Sequence, residues 1–234
     1  MEPILLYGHP LGSSLGLVAA LEWLGRPYRL CRVDMLGDMR RPAFGRLNPR
    51  HETPVLVTDE GEVLTESMAI GFWLEARDAE RRISFEPLTR DADRIHQLMA
   101  FVNTGFTAAF APLWAAMEMK DPDPAHQAAL RRFGRQQVVA RHDKLEAMIG
   151  DGPWLVGQRP SLADGFLAGV ARWLEFHEVA DISRWPRLQA LRRRIEADPS
   201  VVFAAAVEQG EGASSAGACL GHIPLEEVIT RFGR

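Results

Sequence analysis

At 234 residues, 47% hydrophobic and 25% charged, the chain has an ordinary globular composition and enough length for one large domain or two of usual size. Its formal net charge of -4 excludes the clustered basic excess with which proteins meet nucleic-acid phosphates. Its two cysteines, Cys31 and Cys219, lie far apart without CxxC or metal-finger spacing, so neither a disulfide framework nor a metal site is expected.

The first residues, MEPILLYGHP, carry an acid at position 2 and a very short apolar run, unlike a secretory signal. No run approaches the roughly 18 apolar residues that cross a bilayer, so the expectation is a cytoplasmic protein without a membrane partner. Pro3–Tyr7 fits a buried strand. A turn-rich loop over 8–12 follows, after which Ser13 or Ser14 can cap a helix with Leu17, Val18, Leu21 and Leu24 at helical spacing, stopped by Gly25. Tyr28–Val33 alternates as a second strand. After an irregular stretch over 40–49, residues 54–57 and 62–64 read as a hairpin around the acidic turn TDEG. A further helix opens at Thr65 or Glu66 and runs through Leu74.

This βαβ-ββα order describes a small α/β domain over residues 1–79. The polar segment DAERRISFEP, residues 78–87, is the expected linker to an all-helical domain over 88–234. Its helices are expected near 88–118, 124–149, 162–176, 186–197 and 199–208. A glycine-rich tail with one extra helical turn follows Gly210.

Three local patterns carry chemistry. Thr53–Pro54 stands directly before the strand PVLV, where proline either starts an edge strand or forms a cis bond that exposes the Thr53 backbone to a ligand. Glu66 and Ser67 open a helix whose free N–H groups suit a carboxylate, or they only cap it. SLAD, residues 161–164, forms a capping box, which assigns Asp164 to stability. Phe106, Phe110 and Trp114 share one helix face at spacings of four, the pattern of a core stripe.

The segments LYGHPLGSSLGLVAALEWLG, NPRHETPVLVTDEGEVLTESMAIGFWL and DGPWLVGQRPSLADGFLAGVARWL resemble the cytosolic glutathione transferases of bacterial type, and RWPRLQALRRRIEADPSV resembles their penultimate helix. Together they span nearly all of residues 3–208. The resemblance implies a thioredoxin-like N-terminal domain, a helical-bundle C-terminal domain, a homodimer, and conjugation of the glutathione thiol to an apolar electrophile, with no metal. A non-catalytic glutathione-binding relative, or another glutathione-dependent reaction such as isomerisation, dehalogenation or ether cleavage, is the alternative.

By the same resemblance Ser13 stands where a thiol-activating Cys is common, with Ser14 the second choice; Tyr7 lies inside the strand and is expected to pack in the core, although some classes of the family use a tyrosine near this point. Thr53 and Pro54 anchor the cysteinyl part of glutathione, Glu66 and Ser67 the γ-glutamyl end. Arg50 and His51 lie in one loop, where they either meet the glycyl carboxylate or are solvated charges, and His9 either reaches the thiol or is an ordinary loop histidine. Leu11 with the exposed part of Phe106, Phe110 and Trp114 would line the second-substrate pocket, and Asn103 and Thr107 approach glutathione. Glu52 and Thr53 replace the usual Gln-Val before the proline, and the acid at 52 either weakens the grip on glutathione's carboxylates or favours a different ligand.

Overall fold

The computed structural model covers residues 1–234. Five strands make one sheet: β1 (Ile4–His9), β2 (Tyr28–Asp34), β3 (Val55–Val57), β4 (Val63–Thr65) and β5 (Cys219–His222), in the order β4-β3-β1-β2-β5. β1 runs parallel to β2 and antiparallel to β3. A parallel pair needs a crossover, and α1 (Leu15–Leu24) supplies it. α2 (Ser67–Ala76) follows β4.

β1 lies at the centre and is covered on both faces, which is why ILLY is continuously apolar. Leu5 and Tyr7 point into the large core shared with the helices, while Ile4 and Leu6 point into a second, smaller core. The large core is covered by α3 (Arg90–Ala100), α4 (Ala111–Glu118), α5 (Pro124–Met148), α6 (Leu162–Ala171), α7 (Trp173–Phe176), α8 (Pro186–Glu196) and α9 (Pro199–Gln209).

The tail departs from the expected domain assignment. Instead of ending the helical half, it returns to the sheet: β5 pairs parallel to β2, and α10 (Leu225–Phe232) seats Val228 and Ile229 in the smaller core with Cys31, Val33 and Phe44. The physical reason is a double vacancy. Between β2 and β3 the chain makes only two 3₁₀ turns, Asp38–Arg40 and Pro42–Arg46, too little to cover that face, and the outer edge of β2 carries unpaired backbone groups.

The segment expected to be a linker is a hydrogen-bonded loop. Buried Asp78 accepts from the N–H groups of Arg82, Ile83 and Ser84 and from the Ser84 hydroxyl, at 2.7 to 2.9 Å. Its carbonyls are held by the helical half, Arg159 donating to Ser84 and the Leu162 N–H to Ile83.

The long helix expected over 88–118 is interrupted. A π-helical turn, Phe101–Phe106, and a 3₁₀ turn, Thr107–Phe110, separate α3 from α4. The Thr107 hydroxyl donates to the Val102 carbonyl five residues back, at 2.8 Å. By length and hydropathy this stretch, Arg90–Glu118, is apolar enough to cross a bilayer, contrary to the sequence reading. Leu98, Met99, Val102, Phe106 and Phe110 are buried in the core, which accounts for its composition.

The capping box forms as expected: Asp164 accepts from the N–H and hydroxyl of Ser161 and from the Leu155 N–H at 2.7 to 2.9 Å. Burial pushes its carboxyl up to about 6. His142 is the opposite case. Its Nδ1 meets the Val138 carbonyl at 2.8 Å, its Nε2 has no partner, and its ring lies 4.5 Å from Phe106 and 4.6 Å from Trp185. Burial lowers it to about 4, because the protonated ring loses its hydration.

Between about pH 6.5 and 4 the unfolded chain therefore binds a proton at this histidine that the native chain does not, so its contribution to stability falls as pH falls. Asp164, raised in the native state, acts in the reverse sense over an overlapping range, and only a comparison of variants isolates the histidine. Relative to His142→Leu, the wild type should lose about 3 kcal/mol between pH 7 and pH 4, read from urea unfolding. A difference that stays constant with pH would show that the buried ring titrates normally.

Candidate functional site

The site is built where the loop after β1 meets the start of α1. Gly8 and Gly12 make the loop possible: a Cβ on Gly12 would stand 2.2 Å from the Gly8 carbonyl oxygen, and one on Gly8 would stand 2.3 Å from the Thr53 Oγ1. The His9–Pro10 and Thr53–Pro54 peptides are both cis. The first of these was not foreseen.

The two serines divide their tasks. Ser14 is buried, its Oγ accepts from the Gly8 N–H at 2.9 Å, and its carbonyl accepts from Leu17 and Val18, so it ties β1 to α1. That overturns Ser14 as second choice for activating a thiol. Ser13 is half-buried and its hydroxyl makes no intramolecular hydrogen bond. Tyr7 packs in the core as expected: its buried hydroxyl donates to the Val207 carbonyl at 2.9 Å and lies 3.0 Å from His222 Nε2, and burial pushes its pKa upward. His9, half-buried, is lowered by burial and then by the Arg32 charge.

Thr53 presents a free edge. Neither its N–H nor its carbonyl is bonded within the chain, and β3 begins two residues later. At the next corner Glu66 adopts φ 72, a region few residues with a Cβ occupy, and α2 starts at Ser67 with no side chain capping its N–H groups. Arg50 meets Glu66 Oε1 at 2.7 Å, Thr65 Oγ1 at 2.9 Å and Glu52 Oε2 at 3.1 Å. The acid at 52 is thus paired rather than free. These pairs are half-exposed and worth about 0.2 to 1 kcal/mol at most, so they orient Glu66 more than they stabilise the fold. His51, at φ 55, is turned away, with Nδ1 2.7 Å from the Met39 carbonyl.

Ser13 and Ser67 share a small cleft of about 30 Å³, partly open to solvent, with Leu17 beside them. Asn103, Thr107, Phe166 and Val170 form the opposite wall. The π turn delivers Asn103 and Thr107 to this wall; Phe166 and Val170, on α6, were missed. Glycines let α6 come close, since a Cβ on Gly16 would stand 1.6 Å from the Gly165 oxygen and one on Gly169 would stand 2.1 Å from the Ser13 oxygen.

The expected apolar pocket is corrected. Phe106 and Phe110 are fully buried, packed on each other and on His142, and present no surface to a ligand. Spacing gave their common face but not its partner, which is the helical core. Leu11 and Trp114 are half-buried and partly accessible; Trp114 packs on Trp173 and stacks on Phe176, which is 44% exposed. Arg172, Trp173 and Glu208, which grip the loop from the helical side, were also missed; the helix break after Ala171 sets Arg172 and Trp173 apart, while Glu208 lies within α9 with no local signal.

Sequence models of "Glutathione S-transferase, N-terminal domain" and "Glutathione S-transferase, C-terminal domain" match residues 14–77 and 124–194, more than half of the chain between them. The chain belongs to the glutathione S-transferase family. It is 31% identical over 206 residues to the maleylacetoacetate isomerase of Pseudomonas aeruginosa, covering 80% of this chain and 88% of that protein. A glutathione transferase of Methylococcus capsulatus superposes with a TM-score of 0.77 at 30% identity, covering 88% of this chain and 98% of the other. A sphingomonad glutathione S-transferase solved with glutathione shares the fold at a TM-score of 0.75 and 24% identity, over 88% and 98% of the two chains. Neither family model reaches the tail that builds β5 and α10.

The separate duties of the two serines are testable by urea unfolding. Ser14→Ala strands the buried Gly8 N–H and should cost about 1 to 3 kcal/mol, whereas Ser13→Ala should stay within about 0.5 kcal/mol of the wild type. Equal costs would reject the assignment.

Proposed function

We propose that this protein is a glutathione transferase that attacks a small apolar electrophile with a thiolate held by Ser13. The family membership makes it a glutathione-dependent transferase; the reaction and the residues are this reading's own. What supports it is a set of three unused groups: the free Ser13 hydroxyl and the uncapped N-terminus of α2, which border one cleft, and the unpaired Thr53 backbone at the cis proline, which lies against Gly8 in the loop leading to Ser13.

In this reading the cysteinyl part of glutathione lies along Thr53 as an added strand, exchanging main-chain hydrogen bonds. The γ-glutamyl carboxylate takes the free N–H groups at Ser67, and its ammonium takes the Glu66 carboxylate that Arg50 holds in place. His51 serves the glycyl end indirectly, through the turn whose Met39 carbonyl it meets. The thiol, with an ordinary pKa of about 8.5, is mostly protonated at neutral pH. A hydrogen bond from Ser13 and the N-terminal end of α1, worth about 0.3 to 1 kcal/mol, favour the thiolate. Holding it beside an electrophile seated near Leu11 and Trp114 supplies proximity. The protein is further proposed to be a cytoplasmic homodimer that needs no metal.

A second reading, a glutathione-dependent isomerase, is favoured by the likeness to the isomerase of Pseudomonas aeruginosa. There the same thiolate would add to a conjugated double bond, allow rotation and be expelled, returning glutathione unchanged. Turnover of an aryl halide and of a cis-configured unsaturated diketo acid should be measured side by side. In either case Ser13→Ala should lower kcat about a hundredfold, the usual cost of losing one donor to a reacting anion, and leave glutathione binding nearly intact. Glutathione binding without turnover of either substrate would identify a binding relative. Undiminished kcat in Ser13→Ala would overturn the role of Ser13.

A further inference from the structure

The residue that precedes Ser13 is held by both of its backbone polar groups. The Gly12 N–H donates to Glu208 Oε1 at 2.8 Å, and the Gly12 carbonyl accepts from Arg172 Nη2 at 2.8 Å. Arg172 and Glu208 are themselves joined, Nη2 to Oε1 at 2.8 Å and Nη1 to Oε2. Glu208 is 6% exposed and Arg172 about a quarter, so the pair is largely removed from water. Each partner is fixed from behind: Arg172 Nε donates to the Gly169 carbonyl, and Arg32 donates through Nε and Nη2 to the Glu208 carbonyl near the end of α9. Alongside, Trp173 Nε1 donates to the Leu11 carbonyl at 2.9 Å, and Gly169 lies against the Ser13 carbonyl. Loop residues 11, 12 and 13 are thus gripped in succession by residues 169–173 together with Glu208.

A buried ion pair is a poor device for stability alone, because desolvation offsets much of its Coulomb gain. Each member of this pair also bonds the backbone of one glycine, Gly12, and that glycine cannot be replaced by a residue whose side chain would help, since the Gly8 carbonyl oxygen lies 2.2 Å from where its Cβ would be.

We propose that Arg172 and Glu208 are positioning residues that clamp Gly12 and thereby aim Ser13 at the glutathione thiol. The proposal rests on Ser13 being the partner of the thiol. Arg172 and Glu208 act as a unit, so losing either releases Gly12. Glu208→Ala and Arg172→Met should each lower kcat roughly tenfold to a hundredfold, the penalty of misplacing a catalytic group by about an ångström. The KM for glutathione should move less than threefold, and the double variant should be no worse than the poorer single one. Glu208→Gln, which keeps an acceptor for the Gly12 N–H, should recover most of the loss.

The rival account is that Arg172 acts by its charge on the thiolate. It predicts opposite signs: the apparent pKa in the pH profile of kcat/KM would rise in Arg172→Met and fall in Glu208→Ala. Opposite shifts, additive losses, or a lowered Tm with unchanged kcat would overturn the clamp. Hydrogen exchange of the peptide covering residues 8–14 reads the clamp without any substrate. Protection there should drop in Glu208→Ala and be restored in Glu208→Gln; unchanged protection would overturn the clamp even if the wild type is active. Failure of the wild type to bind glutathione, with that loss of protection present, would reject the transferase reading and leave the grip on Gly12 standing.

Discussion

Everything at the site depends on how closely α1 approaches α6. Gly16, Gly165 and Gly169 let backbone meet backbone where any side chain would collide, so the sheet and the helical half share one continuous core. That crossing sets the position of the first turn of α1 and hence of Ser13. It also narrows the cleft until Ser13 and Ser67 on one wall and Asn103 and Thr107 on the other border one space. A single methyl group at 165 or 169 would widen the cleft from its base.

The same logic explains how the helical half presents Asn103, a polar side chain with no internal hydrogen bond, to the cleft. The π turn at Phe101–Phe106 changes the angular register of the long helix. Before it, Ile95, Leu98 and Met99 fill the core; within it, Val102 and Phe106 stay buried while Asn103 faces the cleft. A regular helix would have had to choose between packing and presenting. The tail works on the opposite side. β5 and α10 close the outer edge and second face of the sheet, and Arg46 and Arg234 fasten the end of the chain to the 3₁₀ segment between β2 and β3.

Most of this was legible in the residues wherever a local rule decided. The PILLY run marked a buried strand, Gly25 ended α1 in the left-handed conformation, and the cis peptide before Pro54 is one of the two readings its dipeptide allowed at the strand entrance. What stayed hidden was set by distant partners. CLGH is four residues with an interior glycine, too short to announce a strand until the bare edge of β2 is there to receive it. Phe106 and Phe110 were placed on a common face, but spacing cannot say whether that face meets a cavity or His142 and Trp173. Ser13 and Ser14 are equivalent helix starters in sequence, and only the Gly8 amide distinguishes them.

Electrostatics at the corner formed by Glu52 and Glu66 follow from a single cation. Arg50 is shared by Glu52 and Glu66, so this corner carries one more acid than base while no carboxylate in it stands alone. In water such half-exposed pairs are weak and screened. A tripeptide lying over them would exclude solvent, lower the local dielectric and strengthen both contacts at once. The surplus negative charge would then meet the ligand's ammonium group, and the ligand's carboxylate would go to the amides of α2 rather than to Arg50. On the proposed binding mode, an acid at position 52 would reinforce the sorting of charges in this corner, because it occupies the guanidinium that a misplaced carboxylate would otherwise take.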